Sequence, residues 1–298
     1  MRMKSIFRHE TILFLVVIVA LVILSIQAEQ FATIDNLLNQ GRFLTEVSLV
    51  ALIMTFVIVT GGIDLSVGSI LGLSAIVLGV AWKKLGLPLP LAILVALSVG
   101  TLAGLFNGII ITRFKVPPLI ATLATLALYR GLAEGISQAR SIRGYPEWFF
   151  ILGQGEFFGI PTQLWIVAFF TLLTGFILTY TTWGRATYAI GANETAARFS
   201  GIAVDKTKLF IYAASGFAAS LAAIIFVSRV STTRSDMGMG LELDAITAVV
   251  LGGTSIFGGK GTIVGTFFGL ILIQILKNGL SLAAVSYTHL TLPTIYSV

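Results

Sequence analysis

Three carboxylates stand inside an otherwise apolar chain, and each is a candidate for chemistry within a membrane. Asp64, Glu242 and Asp244 adjoin hydrophobic runs, where an ionised side chain costs at least about 2.5–3.5 kcal/mol. Asp64 in "IDLSV" can cap a helix that begins at Leu65, and the other two precede a run that starts at Ala245. Capping is therefore the favoured interpretation of all three. The alternative is proton or ion coupling through Asp64 or Asp244.

Side chains for covalent or metal chemistry are scarce. The chain has no cysteine and two histidines, His9 and His289. Disulfides, thiol catalysis and a histidine metal cluster are thereby excluded, and we expect no catalytic residue, metal or cofactor. The stretch "GGTSIFGGKGT" looks like a phosphate-binding loop, but Thr254 and Gly261 stand where that motif requires Gly and Ser or Thr. It predicts no nucleotide site.

Glycine and charge cluster at two places where helices are expected to break. "TGGIDLSVGS" (60–69) separates two apolar runs, and "GLELDAITAVVLGGTSIFGGKGT" (240–262) encloses a short one. Interrupted helices at matching places in two halves of a chain are typical of a transport pathway, because backbone groups freed there must face protein or water. The predicted pathway residues are Gly61, Gly62, Asp64, Ser66, Gly68, Ser69, Glu242, Asp244, Gly252, Gly253 and Thr254.

The elements that must position these residues are membrane-spanning helices. Hydrophobic residues make up 56% of the chain and charged residues 11%, whereas soluble domains have about 25% charged residues. Several apolar runs approach the ~20 residues of a spanning helix, and they lack the alternation of barrel strands. We predict an all-α, polytopic bundle with about nine apolar runs, at 11–26, 44–60, 67–82, 89–111, 119–132, 164–180, 209–227, 245–252 and 262–276.

The cations indicate how the chain lies in the membrane. Arg2, Lys4 and Arg8 precede the first run, which is interpreted as an uncleaved helix with a cytosolic N-terminus. This orientation places ten of the nineteen cations, including those of the 183–208 loop, on the cytosolic side. The net charge of +6 is scattered over loops and forms no stripe, so no nucleic-acid partner is expected.

Two glycine-rich segments echo each other. "GTLAGLFNGIII" (100–111) and "GTIVGTFFGLIL" (261–272) match in register at Gly, Thr, Gly, Phe and Gly. Glycines four residues apart form a small-residue face that lets another membrane helix approach closely. The echo predicts an internal repeat of the kind found in transporters, with coincidence in a glycine-rich chain as the alternative.

The stretch "GANETAARFSGI" (191–202) has the features of a short soluble helix. The sequence supplies each part of a capped helix: Asn193 as N-cap, Glu194 in the first turn, Arg198 near the negative end and Gly201 just beyond it. Phe199 is expected to contact Ile202 across the glycine and to project from the cytosolic face. About two turns of helix are therefore specified locally.

Three motifs in order identify a family resemblance. "GGIDLSVGS", "GRATYAIGANETAARFSGI" and "LELDAITAVVLGGTSIFGGKGTIVGT" together resemble the ribose-type carbohydrate permeases of bacterial ABC importers, including the rhamnose and autoinducer-2 members. The resemblance extends nearly to Ala284 and implies ten transmembrane helices in the bacterial inner membrane. It also implies that 193–201 is the coupling helix that docks in a groove of the ATPase subunit. The coupling residues so implied are Asn193, Glu194, Ala196, Ala197, Arg198, Phe199, Ser200 and Gly201.

The resemblance also implies partners. They are a second permease chain, identical or related, two ABC ATPase subunits, a periplasmic or lipid-anchored sugar-binding protein, and membrane lipid. The solute would be a monosaccharide or a related small polyol, chosen chiefly by the binding protein, and ATP would be hydrolysed on the separate subunits. The alternative function is an ion-coupled secondary transporter that uses the intramembrane carboxylates.

The sequence pattern of the last residues, 285–298, differs from that of the rest of the chain. "VSYTHLTLPT" matches the translation of a transposase adapter used in sequencing libraries. We therefore expect a membrane-spanning permease domain at 1–284 and a non-native tail at 285–298, with a tenth helix lost. Because Pro293 lacks an N–H donor, the tail is expected to form no regular helix from about Val285 and to pack against nothing.

Overall fold

The fold is almost entirely helical in the computed structural model, which describes residues 9–28 and 30–295. The helices are α1 His9–Gln27, α2 Ile34–Val59, α3 Val67–Lys83, α4 Leu89–Arg113, α5 Pro118–Ser137, α6 Ile151–Gln154, α7 Thr162–Tyr180, α8 Thr182–Ala192, α9 Glu194–Phe199, α10 Val204–Val230, α11 Leu241–Leu251 and α12 Ile263–Ile295. A 3₁₀ turn, Glu147–Phe150, precedes α6. Two antiparallel ribbons pair β1 Ile142–Arg143 with β4 Thr232–Thr233 and β2 Glu156–Phe157 with β3 Ile160–Pro161.

Each predicted apolar run forms a helix, which confirms the all-α, polytopic class. Within the described residues, seven helices are long and apolar enough to cross a membrane: α1, α2, α4, α5, α7, α10 and the Ile263–Leu282 part of α12. The other two runs form α3, with 17 residues, and α11, with 11. At 1.5 Å per residue α11 is only about 16 Å long, about half of a ~30 Å hydrocarbon layer. It is a half-helix, as the short run predicts.

Helix α3 is the buried centre of the bundle. Thirteen of its 17 residues are buried, and it packs against α4, α5 and α10. Its glycines also admit the connection between α10 and α11: a Cβ atom at Gly72 would lie 3.0 Å from the carbonyl oxygens of Ser235 and Met237. The 231–240 connection therefore descends into the bundle beside α3.

Both echoed glycine faces lie at close helix contacts. In α4, a Cβ atom at Gly104 would overlap the carbonyl oxygen of Tyr212 in α10. In α12, a Cβ atom at Gly265 would overlap the carbonyl oxygen of Gly252, just after α11. Small residues thus bring backbones together in both places. These contacts, with α10 and with the end of α11, do not test whether the two segments are an internal repeat, and the repeat stays a prediction.

Helix α10 defines the two faces of the bundle. Its 27 residues make a rod about 40 Å long. Helix α9 lies just before its first residue and β4 just after its last. We call these ends of the bundle the α9 face and the β4 face.

The tail prediction is wrong in one respect. Helix α12 continues past Val285 to Ile295, although no regular helix was expected there. The stretch 285–292 contains neither glycine nor proline, and Pro293 falls in the last turn, where its missing N–H and its clash with the preceding turn leave little helix to disrupt. The expected lack of packing concerns side chains outside the described ones.

Candidate coupling surface and solute pathway

Helix α9 is a short helix capped at both ends. The Asn193 side chain accepts a hydrogen bond from the Ala196 N–H at 2.9 Å. At the other end Gly201 has a φ of +81°, and the Ile202 N–H donates to the Ala197 carbonyl at 3.0 Å, as in a Schellman motif. The cap and the terminating glycine thus lie where the sequence predicts them. Local interactions fix the shape of this helix.

The two sides of α9 differ in exposure. Ala197 is buried and packs with Ile190, Val204 and Ile202, whereas the Phe199 side chain is 89% exposed. The expected contact between Phe199 and Ile202 is therefore wrong: Ala197, four positions before the terminating Gly201, packs with Ile202 instead. Ala197 also faces the bundle and is removed from the outward surface. The exposed members of the predicted coupling set are Asn193, Ala196, Arg198, Phe199, Ser200 and Gly201.

Ion pairs fasten α9 to α10. Arg198 binds Asp205 through both terminal nitrogens, at 2.8 and 2.5 Å, and Glu194 through one, at 2.9 Å. Lys208 donates to Glu194 at 2.6 Å, and Lys115, between α4 and α5, donates to Asp205 at 3.0 Å. Single exposed pairs contribute little, but these five side chains form one connected network. Helix α9 is thereby held to the first turns of α10.

The charge of Glu194 depends on this network. Partial burial raises the pKa of the Glu194 carboxyl, but hydrogen bonds and charges from Lys208 and Arg198 outweigh burial and leave the pKa below its ordinary value. A lowered folded-state pKa means that this attachment contributes fully above the ordinary carboxyl pKa. The contribution is lost as the pH falls through the lowered value. At neutral pH the fastening is intact.

Two predicted pathway residues, Gly61 and Thr254, belong to a packed junction beside α9. The Gly259 N–H donates to the Val59 carbonyl at 2.9 Å, and a Cβ atom at Gly191 would overlap the same carbonyl. The junction thus joins the end of α2, the end of α8 and the loop before α12. Gly61 and Thr254 lie at this junction, since a Cβ atom at Gly258 would lie 3.0 Å from the Gly61 backbone nitrogen and one at Gly261 would lie 2.6 Å from the Thr254 hydroxyl oxygen. Gly252 and Gly253, just after α11, lie instead beside Gly265 of α12 and the His9 side chain of α1.

Asp64 is the centre of a buried polar network. Its side chain is fully buried and accepts hydrogen bonds from the Ser66 N–H at 3.0 Å, the Ser66 hydroxyl at 2.6 Å and the Ser215 hydroxyl of α10 at 2.8 Å. Asn107 of α4 donates to the Ser66 hydroxyl at 2.7 Å. Tyr129 of α5 donates to the Ala103 carbonyl, also on α4, at 2.9 Å. The network ties the entry of α3 to α4, α5 and α10.

The capping interpretation of Asp64 needs one correction. Helix α3 begins at Val67 and not at Leu65, so Asp64 orders the turn before the helix instead of its first turn. The approach to this turn is tight, since a Cβ atom at Gly62 would lie 2.6 Å from the Tyr212 hydroxyl. Asp64 thus accepts three hydrogen bonds and pairs with no basic side chain in the described part of the chain.

The first turns of α3 and α11 meet inside the bundle. Glu242 lies in the first turn of α11, and a Cβ atom at Gly68 would overlap its carboxylate. Ser69 closes the first turn of α3 by donating to the Ser66 carbonyl at 2.7 Å. The Glu242 carboxylate therefore lies near two helix N-termini, whose partial positive charges favour an anion. The two interrupted regions predicted from the glycine clusters therefore lie next to each other.

A cavity of about 560 Å³ opens beside this meeting point, toward the β4 face. Asp244, which is predicted as a pathway residue, lines it and pairs with Lys277 at 2.6 Å. The lining residues come from α2, the end of α10, the 231–240 connection and α11, with one from β1: Phe43, Glu46, Val47, Arg143, Phe226, Arg229, Val230, Thr232, Arg234, Asp236, Met237, Gly238, Met239, Leu241 and Asp244.

Sequence reasoning missed the ion pair in this cavity. Arg229 donates to the Glu46 carboxylate at 2.8 Å, and both side chains are largely buried, 17% and 4% exposed. The available signal was a glutamate inside the 44–60 run and an arginine two residues after the 209–227 run. The predicted pathway residues therefore fall in four places: the α9 junction, the interior around Asp64, the end of α11 and this cavity.

Known proteins are similar in sequence to this chain over most of its length. The family model described as "Branched-chain amino acid transport system / permease component" matches residues 34–296. The ribose import permease protein RbsC of Haemophilus influenzae is 41% identical over 92% of this chain and 85% of its own length, and that of Bacillus subtilis is 43% identical over 92% and 85%. The autoinducer 2 import system permease protein LsrD of Escherichia coli is 41% identical over 80% and 74%.

No solved structure matches the chain. The family match covers far more than half of the residues, and the relatives match it along most of their own length. The helical bundle, the half-helix α11 and the family match over residues 34–296 all indicate a membrane protein that forms part of a transport system. The chain therefore belongs to the family of branched-chain amino acid transport system permease components.

Proposed function

We propose that this protein is the permease subunit of a binding-protein-dependent ABC importer for a monosaccharide or a related small polyol. The observation that carries the proposal is α9, a self-capped helix that projects Phe199 from the bundle of a chain more than 40% identical to two ribose import permeases. The chain carries the solute, and ATP is hydrolysed on separate subunits.

The proposed complex has the permease at its centre. Two permease chains, identical or related, lie in the bacterial inner membrane with their N-termini in the cytosol. Two ATPase subunits bind the α9 faces, and a periplasmic or lipid-anchored binding protein delivers the solute to the β4 faces. The positive charge that precedes α1 supports this orientation.

The contacts of α9 provide a route for motion. When ATP closes the two ATPases, each would push an α9 helix, and the ion pairs from Arg198 to Asp205 and from Lys208 to Glu194 pass the push to α10. Helix α10 holds Asp64 through Ser215 and ends at the cavity with Arg229. A displacement of α10 would therefore reach the α3 entry and the cavity together, as alternating access requires.

The carboxylates do not favour ion-coupled secondary transport. Asp64 accepts three hydrogen bonds from Ser66 and Ser215, and Asp244 is paired with Lys277. Neither side chain is a free carboxylate placed to bind and release a proton. The relatives are named as permeases of import systems, which supports the ABC reading.

Uptake by reconstituted protein tests the proposal. The chain is co-purified with the ATPase and binding protein from its own source and placed in proteoliposomes with D-ribose as the probe. We expect uptake that requires ATP on the α9 side and the binding protein on the β4 side. An uncoupler of ion gradients should leave the rate unchanged. Uptake without ATP that collapses with the uncoupler would instead establish the secondary-transport alternative.

Replacing Asp64 by asparagine separates a structural acceptor from an ion carrier. Asp64→Asn keeps one carbonyl oxygen for Ser66, so ATP-dependent uptake should remain at about half the wild-type rate or more. Asp64→Leu leaves buried donors unpaired, each at a cost of about 1–3 kcal/mol, and should lower the amount of folded protein. Loss of uptake in a well-folded Asp64→Asn protein would indicate a titrating carboxylate.

A further inference from the structure

The cavity beside α11 lies where an entering solute would meet the interrupted helix. Its walls include Glu46 from α2 and Arg229 from α10, and its floor includes Gly238 and Leu241 at the start of α11. Binding sites in transporters form where membrane helices are discontinuous. Its position makes this cavity a candidate binding site. Its side chains indicate which chemical class of solute it would bind.

Arg229 is fixed in place with donors to spare. Its Nε donates to Glu46 at 2.8 Å, and its guanidinium carbon lies 4.7 Å from the ring centre of Phe43 and 4.9 Å from that of Phe226. These contacts hold the planar group against two aromatic rings. In the described part of the chain no protein acceptor bonds either terminal nitrogen. Arg229 thus presents preorganised N–H donors to the cavity that it lines.

The charges of the cavity are largely compensated. Arg229 is paired with Glu46, Arg234 with Asp236, and Asp244 with Lys277. An anion would find little net positive charge beyond that of Arg143 at β1. Fixed donors and acceptors without excess charge suit hydroxyl groups, which donate and accept hydrogen bonds. The cavity therefore matches a neutral polyhydroxylated solute better than an anion.

We propose that this cavity binds the solute on its way through the permease, with the terminal nitrogens of Arg229 donating to solute hydroxyl groups. The inference rests on the proposed function and extends it by naming where the permease itself contacts the sugar. Glu46, Phe43 and Phe226 are positioning residues, since they hold the guanidinium.

Conservative replacement of Arg229 tests the contact in the reconstituted complex. Arg229→Lys keeps the charge and can pair with Glu46 but loses the planar fork. Charge-assisted hydrogen bonds contribute about 1.5–3 kcal/mol, so D-ribose uptake should fall roughly tenfold or more while ATP hydrolysis continues. The control is Arg140→Lys, an exposed arginine outside the cavity lining, which should keep wild-type uptake. Wild-type uptake by Arg229→Lys would overturn the inference and leave the proposed function standing.

A binding measurement avoids dependence on transport. The chain contains no cysteine, so Val230→Cys places the sole thiol on the cavity wall for a water-soluble maleimide. In the full chain in nanodiscs, concentrated D-ribose should slow labelling of Val230→Cys but not of Phe158→Cys, which replaces an 85% exposed side chain. Sulfate should protect neither. Equal labelling of Val230→Cys with and without ribose, or protection by sulfate, would overturn the inference even if wild-type protein transports nothing.

Discussion

Replacing Gly104 by leucine is expected to destroy the folded bundle. A Cβ atom at Gly104 would overlap the Tyr212 carbonyl oxygen and lie 2.8 Å from the Gly216 backbone nitrogen, and backbone atoms cannot move aside as a flexible side chain can. Overpacking typically costs about 1–3 kcal/mol, and here it would also push α4 and α10 apart along a contact that depends on close approach. We expect aggregated or degraded protein after detergent extraction.

Helix α5 provides a matched control for this prediction. Gly131 and Gly135 are also four residues apart on a membrane helix, but a Cβ atom at either would meet nothing within 4 Å. Gly131→Leu should therefore give a monodisperse protein with a melting temperature no lower than that of the wild type, because leucine favours a helix more than glycine does. A Gly104→Leu protein that melts like the wild type would disprove the α4–α10 packing.

Replacing Phe199 by aspartate is expected to abolish ATP-dependent uptake with the permease still folded. An 89% exposed phenylalanine contributes little to the fold, whereas a large aromatic side chain is typical of residues that dominate a protein interface. Loss of such a residue costs about 2 kcal/mol or more of binding. The measurement is the amount of ATPase that co-purifies with the permease, together with uptake.

Two variants sharpen the Phe199 experiment. Phe158→Asp replaces another highly exposed phenylalanine, in the β2–β3 ribbon and away from α9, and should retain the ATPase. Ala197→Arg is a different case, because Ala197 packs inside the α9 junction, so its failure would report local unfolding. Normal ATPase recovery with Phe199→Asp would contradict the assignment of α9 as the coupling helix.

The sequence predicts where the helices of this protein lie along the chain better than it predicts which helices pack against one another. Apolar runs locate nine helices because lipid requires long hydrophobic segments with internally bonded backbones. Caps such as Asn193 and Gly201 can be recognised in the sequence because the atoms that interact there belong to residues only a few positions apart. Features that depend only on residues close together in the chain can therefore be predicted from the sequence.

Contacts between distant segments are what the sequence does not reveal. The role of Asp64 depends on Ser215, and Glu46 lies opposite Arg229 only because α2 and α10 pack together. The small residues at 252–254 are predicted as pathway from their composition, which does not reveal that Gly252 lies against Gly265 of α12 and Thr254 beside Gly261. The side of α9 on which Ala197 lies was likewise undetermined, since a two-turn helix has too few apolar residues to define a buried face.

The central position of α3 also constrains how the protein is made. Helix α3 is translated early, but the 231–240 connection that covers its glycines, and Glu242 beside Gly68, follow about 160 residues later. At ~5–20 residues per second the ribosome needs roughly 8–30 s to reach them. During that interval the nascent chain holds Asp64, a carboxylate that is buried in the folded protein. It also holds an uncovered small-residue face in or near the membrane. Insertion chaperones and membrane proteases therefore have an opportunity to act on α3 before α11 emerges.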